Sequence, residues 1–177
     1  MHCFAPVADP ATARLLILGS MPGLASLQAG RYYAHPRNGF WPIMGALFGA
    51  GPQLAYEERL AVLMRAGVAL WDVLASCERQ GSLDTAIDLR SAQANDFAAF
   101  LQAHPLIGRV AFNGALAQTR FRRDVMPHVR RLDMVRLPST SPAHASLSMD
   151  AKLVAWREAL QPNRTAPLEG SAKNNPS

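Results

Sequence analysis

Lysine is nearly missing from this chain. Of its 18 basic residues, 16 are arginine and only Lys152 and Lys173 are lysine. An enzyme working through a lysine Schiff base has few candidates here, and neither lysine belongs to the polar loops singled out below. Cysteine is scarce as well. Cys3 and Cys77 have no ligand-like neighbours, which argues against a Cys-rich zinc or iron–sulfur site and reads as two free thiols in a reducing cytoplasm. No apolar run reaches the ~18 residues of a membrane helix. No basic region followed by an apolar stretch opens the chain, so no secretory leader is expected. Both nucleotide-binding glycine signatures, G-x-G-x-x-G and the Walker loop, are missing. No metal or cofactor is expected.

What is present fits one globular domain. Hydrophobic residues make up 49% of the 177 and charged residues 18%, enough to bury a core. The domain is expected over residues 1–161. Residues 162–177, rich in Pro, Asn, Ser and Gly, read as a disordered tail. The net charge of +5 and pI near 9.9 fit a polyanion partner, because arginine grips phosphate at two points. A solvated basic surface explains the charge equally well.

The apolar run Arg14–Gly19 reads as a buried parallel strand. Residues 20–39 read as one long loop. Helices are expected over Phe40–Phe48 and Tyr56–Arg65, and a strand over Val68–Asp72. A polar stretch follows from Ser76 to Asp84. An amphipathic helix over 94–103 has Phe97, Phe100 and Leu101 inward. Then come a strand over Ile107–Phe112, a basic helix over about 115–126, a strand over Met134–Leu137, a polar loop over Ser139–Ser148 and a helix over Asp150–Leu160. This alternation predicts an α/β fold: a central four-stranded, mainly parallel sheet with helices on both faces, three layers in all. Ligands of such sheets bind at the carboxyl ends of the strands, where the loops 19–39, 113–115 and 138–148 emerge.

Gly19-Ser-Met-Pro-Gly23 follows the first strand and fixes a sharp turn whose amides can point at a ligand. Taken alone it is also an ordinary strand-to-helix turn. Arg31-Tyr-Tyr-Ala-His-Pro-Arg-Asn-Gly-Phe-Trp41 crowds aromatics, arginines, a histidine and an asparagine into one loop. Tyr33 can stack on a base, Arg37 can hold phosphate, and Asn38 can orient a water or read a base edge. Phe40 and Trp41 read as core. Pro138-Ser-Thr-Ser-Pro-Ala-His-Ala145 is a rigid run of hydroxyls suited to phosphate. His144 there reads either as a proton donor or as a surface group.

The ordered set GSMPG, YYAHPRNGFW, FNG and LPSTSPAHA resembles the uracil-DNA glycosylase superfamily over about Arg14 to Trp156. It is most similar to the deoxyinosine (hypoxanthine) glycosylase branch. The resemblance implies base-binding roles for Gly19, Ser20, Met21, Tyr33 and Asn113. Met21 stands where related enzymes place a polar water-holding residue, so the resemblance moves that task to Asn38. It implies DNA-backbone contacts for Ser139, Thr140 and Ser141, to which the reading of the residues adds Arg37. Ser139 stands where uracil-specific members carry a histidine, leaving His144 as the candidate general acid. The expected protein is a cytoplasmic, monomeric, monofunctional DNA glycosylase. It would flip and excise hypoxanthine, uracil or xanthine from duplex or single-stranded DNA, with no membrane association. The alternatives are a non-catalytic damaged-DNA binding protein of the same fold and a nucleoside hydrolase. The latter is disfavoured because the three loops contain no Asp or Glu.

Overall fold

The computed structural model describes residues 1–79 and 87–160. In chain order they form β1 (Leu15–Gly19), α1 (Leu24–Ala29), α2 (Phe40–Phe48), α3 (Tyr56–Arg65), β2 (Val68–Asp72), β3 (Leu74–Arg79) and β4 (Ile87–Ala94). These are followed by α4 (Phe97–Ala103), β5 (Arg109–Asn113), α5 (Ala115–Asp124), a 3-10 turn at Met126–His128, β6 (Asp133–Leu137) and α6 (Met149–Leu160).

The main sheet has four strands in the order β2-β1-β5-β6, all parallel. Parallel strands covered on both faces need continuous apolar sequence, and Val-Ala-Leu-Trp-Asp in β2 is buried at every position. Successive side chains point to opposite faces. Leu16, Leu18, Trp71, Val110 and Phe112 pack with Phe97 and Phe121 of α4 and α5. Ile17, Leu70, Ala111 and Leu137 pack with Phe40, Leu63 and Trp156 of α2, α3 and α6. The expected three-layer α/β architecture is therefore present.

Four local expectations need correction. An antiparallel ribbon, β3 with β4, takes up the described part of the polar stretch expected from Ser76 to Asp84 and the residues from Ile87 to Ala94. The ribbon lies outside the main sheet and buries only a small cluster of Met21, Leu74, Cys77 and Ile87, so it has no long apolar run to announce it. The helix expected over 94–103 starts at Phe97. Ala94 belongs to β4, and the Asp96 carboxylate accepts the Ala99 N–H at 3.0 Å, which fixes the helix start. The loop 20–39 contains the short helix α1, closed by Gly30 at φ 63°. The basic helix ends at Asp124 and continues only as the 3-10 turn. Residues 80–84 of the polar stretch and the expected disordered tail at 162–177 lie outside the described residues.

Candidate active site at the carboxyl edge of the sheet

Parallel strands deliver four chain ends to one edge: Gly19, Asp72, Asn113 and Leu137 lie there in register. The loops after Gly19, Asn113 and Leu137 are the three singled out from sequence. The fourth position, Asp72, carries no signal in the sequence, because the following chain reads as an unremarkable polar stretch and Asp72 itself reads as the end of a strand.

Asp72 is buried, with 3% of its surface exposed. A Cβ on Gly19 would lie 2.5 Å from its Oδ1 and 3.2 Å from the Tyr33 hydroxyl. Glycine is thus required at 19 by close approach, and the carboxylate and the phenol share the space in front of it. The Asp72 charge is felt nearby. Burial first, and then this charge, hold the Tyr32 phenol far above the usual tyrosine range. The Gly19 and Ser20 carbonyls accept from the Val73 and Leu74 N–H groups at 2.9 and 3.1 Å. This continues the sheet and buries Ser20. Met21 is 6% exposed and packs into the cluster beneath the β3–β4 ribbon.

The tyrosine pair separates by backbone geometry. Tyr32 is buried against α2. Its hydroxyl donates to the Ala5 carbonyl at 3.0 Å, and its own carbonyl accepts the Trp41 indole N–H at 3.0 Å. Tyr33 has φ 55°, the only left-handed non-glycine conformation among the described residues. Such a conformation is costly for a bulky side chain and persists only where surroundings impose it. It turns the Tyr33 ring onto Phe40, with ring centroids 3.8 Å apart and planes 18° from parallel, and it carries the hydroxyl to the Gly19 floor.

Asn38 is half-buried at the start of α2. Its Oδ1 accepts the Phe40 N–H at 3.0 Å and its N–H donates to the His35 carbonyl at 2.8 Å. The side chain is therefore fixed by its helix-starting bond, with an oxygen lone pair and the amide N–H groups still available for a water. Arg37 is exposed; its backbone N–H donates to His35 Nδ1 at 3.1 Å.

Thr140, 1% exposed, joins the loops. The Asn113 Nδ2 donates to Thr140 Oγ1 and the Thr140 N–H donates to Asn113 Oδ1, both at 2.9 Å. The Gly39 N–H donates to the Thr140 carbonyl at 3.0 Å. Ser139 lies against Gly114, where an added Cβ would be 3.2 Å from Ser139 Cβ. The Ser139 and Ser141 hydroxyls accept from the backbone N–H groups of Ser141 and Ala143.

His144 sits further along the same loop. Its Nε2 is 3.4 Å from Ser146 Oγ, and no hydrogen bond joins it to Asn38 or Asn113 among the described residues. Lys152 is a correction to the view that both lysines stand apart from the loops. It is 6% exposed, and its Nζ donates to the His144 carbonyl at 2.7 Å. Burial lowers its pKa. The described residues contain no group of three or more His, Cys, Asp or Glu suited to a metal ion.

The arrangement offers a buried carboxylate, an aromatic ring, a fixed carboxamide and a hydroxyl-rich loop at one sheet edge. Comparison with known proteins bears on the family. The family model of the uracil DNA glycosylase superfamily matches residues 5–161. A hypoxanthine DNA glycosylase of Methanosarcina barkeri is 39% identical over 112 residues, 63% of this chain and 69% of that protein. One from Methanosarcina acetivorans is 36% identical over 115 residues, 64% of this chain and 71% of that one. The solution NMR structure of a candidate uracil DNA glycosylase from Methanosarcina acetivorans superposes with a TM-score of 0.69 at 30% identity, covering 89% of this chain and 96% of that one. This chain belongs to the uracil DNA glycosylase superfamily.

Proposed function

We propose that this protein is a monofunctional DNA glycosylase that removes a deaminated base, hypoxanthine foremost, by hydrolysing the N-glycosidic bond. The observation that carries the reading is Asn38, held at the sheet edge by its bond to the Phe40 N–H. Superfamily membership and the similarity to two hypoxanthine DNA glycosylases support it.

The scissile bond lies inside the stack, so the nucleotide must be extruded, and a mispaired base costs least to extrude. The extruded base would lie against Tyr33, whose ring is backed by Phe40, and point toward Gly19 and Asp72. Hypoxanthine, uracil and xanthine each present an N–H beside a carbonyl, and an ionised carboxylate accepts such an N–H. Asn38 would orient a water toward the sugar carbon. As the bond breaks, charge passes to the departing base, and the turn at Gly19–Met21 would supply backbone donors to it. His144 would be the group that protonates a departing purine. Ser139, Ser141 and Arg37 would engage the DNA backbone; Thr140, expected there from the sequence, is buried and committed to Asn113 and Gly39, and so holds the loop instead.

The absence of a Schiff base is part of the reading, since Lys152 is buried and committed to His144. The test is a panel of duplex and single-stranded oligonucleotides carrying hypoxanthine, uracil or xanthine, scored for abasic sites and repeated with borohydride. Abasic sites with no trapped adduct are expected. A trapped adduct would sink the monofunctional assignment. Binding to the damaged strand without any abasic product would leave the non-catalytic alternative in its place.

A further inference from the structure

We propose that the cleft between the Arg31–Asn38 segment and the turn before α3 holds the DNA strand next to the extruded nucleotide, with Arg31 gripping one of its phosphates. This rests on DNA being the substrate and adds a contact that the base-excision chemistry does not require. The cleft encloses about 520 Å³, within the ~300–1,000 Å³ usual for ligand sites. Asn38 and Tyr33 line it on one side, Tyr56 and Arg59 on the other. Tyr33 also reaches the Gly19 floor through its hydroxyl. A base lying toward that floor therefore leaves its strand to run into the cleft.

The lining carries two arginines and a histidine, Arg31, Arg59 and His35, and no Asp or Glu. Glu57 and Glu58 stand nearby on the first turn of α3; the Glu58 carboxylate accepts the Ala55 N–H at 3.0 Å, and the Glu57 charge reaches Tyr56 as those of Arg31 and Arg59 do, but neither carboxylate lines the cleft. A cleft of this sign concentrates a polyanion; a released neutral base has no need of two guanidinium groups.

The two arginines are used differently. Arg59 lies over the Trp41 ring, 5.3 Å from its centroid, and donates through Nε and Nη2 to the Leu54 and Pro52 carbonyls at 2.9 and 2.8 Å. It builds the wall and contributes charge. Arg31 is exposed and lies over the Tyr56 ring, 5.4 Å from its centroid. Its guanidinium takes part in none of the hydrogen bonds or ion pairs found among the described residues, so its planar fork of donors is unspent. The Tyr32 N–H donates to the Tyr56 hydroxyl at 2.9 Å, which ties the chain beside Arg31 to the ring beneath it. A guanidinium held over a ring, with its N–H edge open, fits the two free oxygens of a phosphodiester.

The test combines Arg31→Gln with a methylphosphonate scan, in which each phosphate around inosine is neutralised in turn. Arg31 is at the surface, and an unchanged melting temperature verifies the variant's fold. Binding of the duplex is measured against salt, and base excision by the unaltered protein is scored separately, so the glycosylase reading stands or falls on its own result. Arg31→Gln should raise Kd about tenfold at low salt and reduce the salt slope by about one. One neutralised phosphate should weaken the unaltered protein and leave the variant unaffected. The proposal is overturned if the variant binds with the original Kd and slope. It is equally overturned if no single phosphate loses its effect in the variant, or if the variant changes only inhibition by free hypoxanthine.

Discussion

Asn113 and Thr140, 27 positions apart in sequence, exchange two hydrogen bonds: Nδ2 to Oγ1 and backbone N–H to Oδ1, each 2.9 Å. The Thr140 carbonyl then receives the N–H of Gly39, the residue after Asn38. The end of β5, the hydroxyl-rich loop and the helix start that carries Asn38 are thereby one hydrogen-bonded unit. A small error in placing a catalytic group is costly in rate, so this unit should matter to turnover. Thr140→Val removes the Oγ1 acceptor and leaves the buried Asn113 Nδ2 unsatisfied, at about 1–3 kcal/mol. Thr140→Ser keeps the acceptor. Single-turnover excision on an inosine duplex should fall by roughly tenfold or more in Thr140→Val and stay close to the original in Thr140→Ser. Asn113→Ala should match Thr140→Val, and the double substitution should be no worse than either one. Additive losses would mean that Asn113 acts apart from Thr140, for instance by reading the base edge itself.

How far the sequence carries depends on the kind of signal. β2, α2 and α3 are legible to the residue because the first two are continuous apolar runs and the third an amphipathic stretch, all with abrupt ends. The β3–β4 ribbon is not, since its pairing is satisfied largely by backbone and its apolar face is small. The site divides in the same way. Motif order brings out Tyr33, Asn38 and Thr140. Asp72 is invisible as a site residue because its meaning comes from β2 lying beside β1, which sets it against Gly19. The contact of Lys152 with His144 is likewise a matter of where α6 packs.

Asn38 has two duties that substitutions can separate. Its Oδ1 is the acceptor for the first N–H of α2, and losing such an acceptor costs about 1 kcal/mol. Asn38→Ala should therefore lower the melting temperature and abolish excision together. Asn38→Ser keeps a side-chain oxygen for the helix start but lacks the carboxamide, so it should retain stability while excision drops by about 100-fold or more. Binding of inosine duplex should survive in both. Excision at the original rate in Asn38→Ser would remove Asn38 from the chemistry.

Gly19 faces Asp72 at a distance that leaves no room for a methyl group, since the added Cβ would lie 2.5 Å from the carboxylate oxygen. Asp72 is buried and has little space to retreat. Gly19→Ala should therefore cost about 1–3 kcal/mol by overpacking and block the floor of the base site, lowering excision. Asp72→Ala in the same chain should restore much of the stability without restoring excision, because the proposed acceptor for the base N–H is gone. Thermal melts and excision rates of the three variants decide the matter. Gly19→Ala with unchanged stability and rate would show that the carboxylate does not occupy that space in solution.

Tyr32 gives the fold a specific sensitivity to alkali. Its phenol is 4% exposed, donates to the Ala5 carbonyl and sits near the Asp72 charge. Burial first and that charge second keep it protonated well beyond the ordinary tyrosine range, while in the unfolded chain it ionises near the ordinary value of about 10. Above that pH the unfolded state has released a proton that the folded state still holds. The stability contributed by Tyr32 is thus complete below about pH 10 and declines as pH rises, by up to about 1.4 kcal/mol per pH unit. Tyr32→Phe loses one hydrogen bond, worth about 1 kcal/mol, but has no proton to lose. Denaturant melts at intervals from pH 8 to 11 should show the variant less stable at pH 8 and with a shallower decline above pH 10, so that the two curves converge. Parallel curves over that range would mean that the Tyr32 phenol ionises in the folded protein as readily as in the unfolded chain.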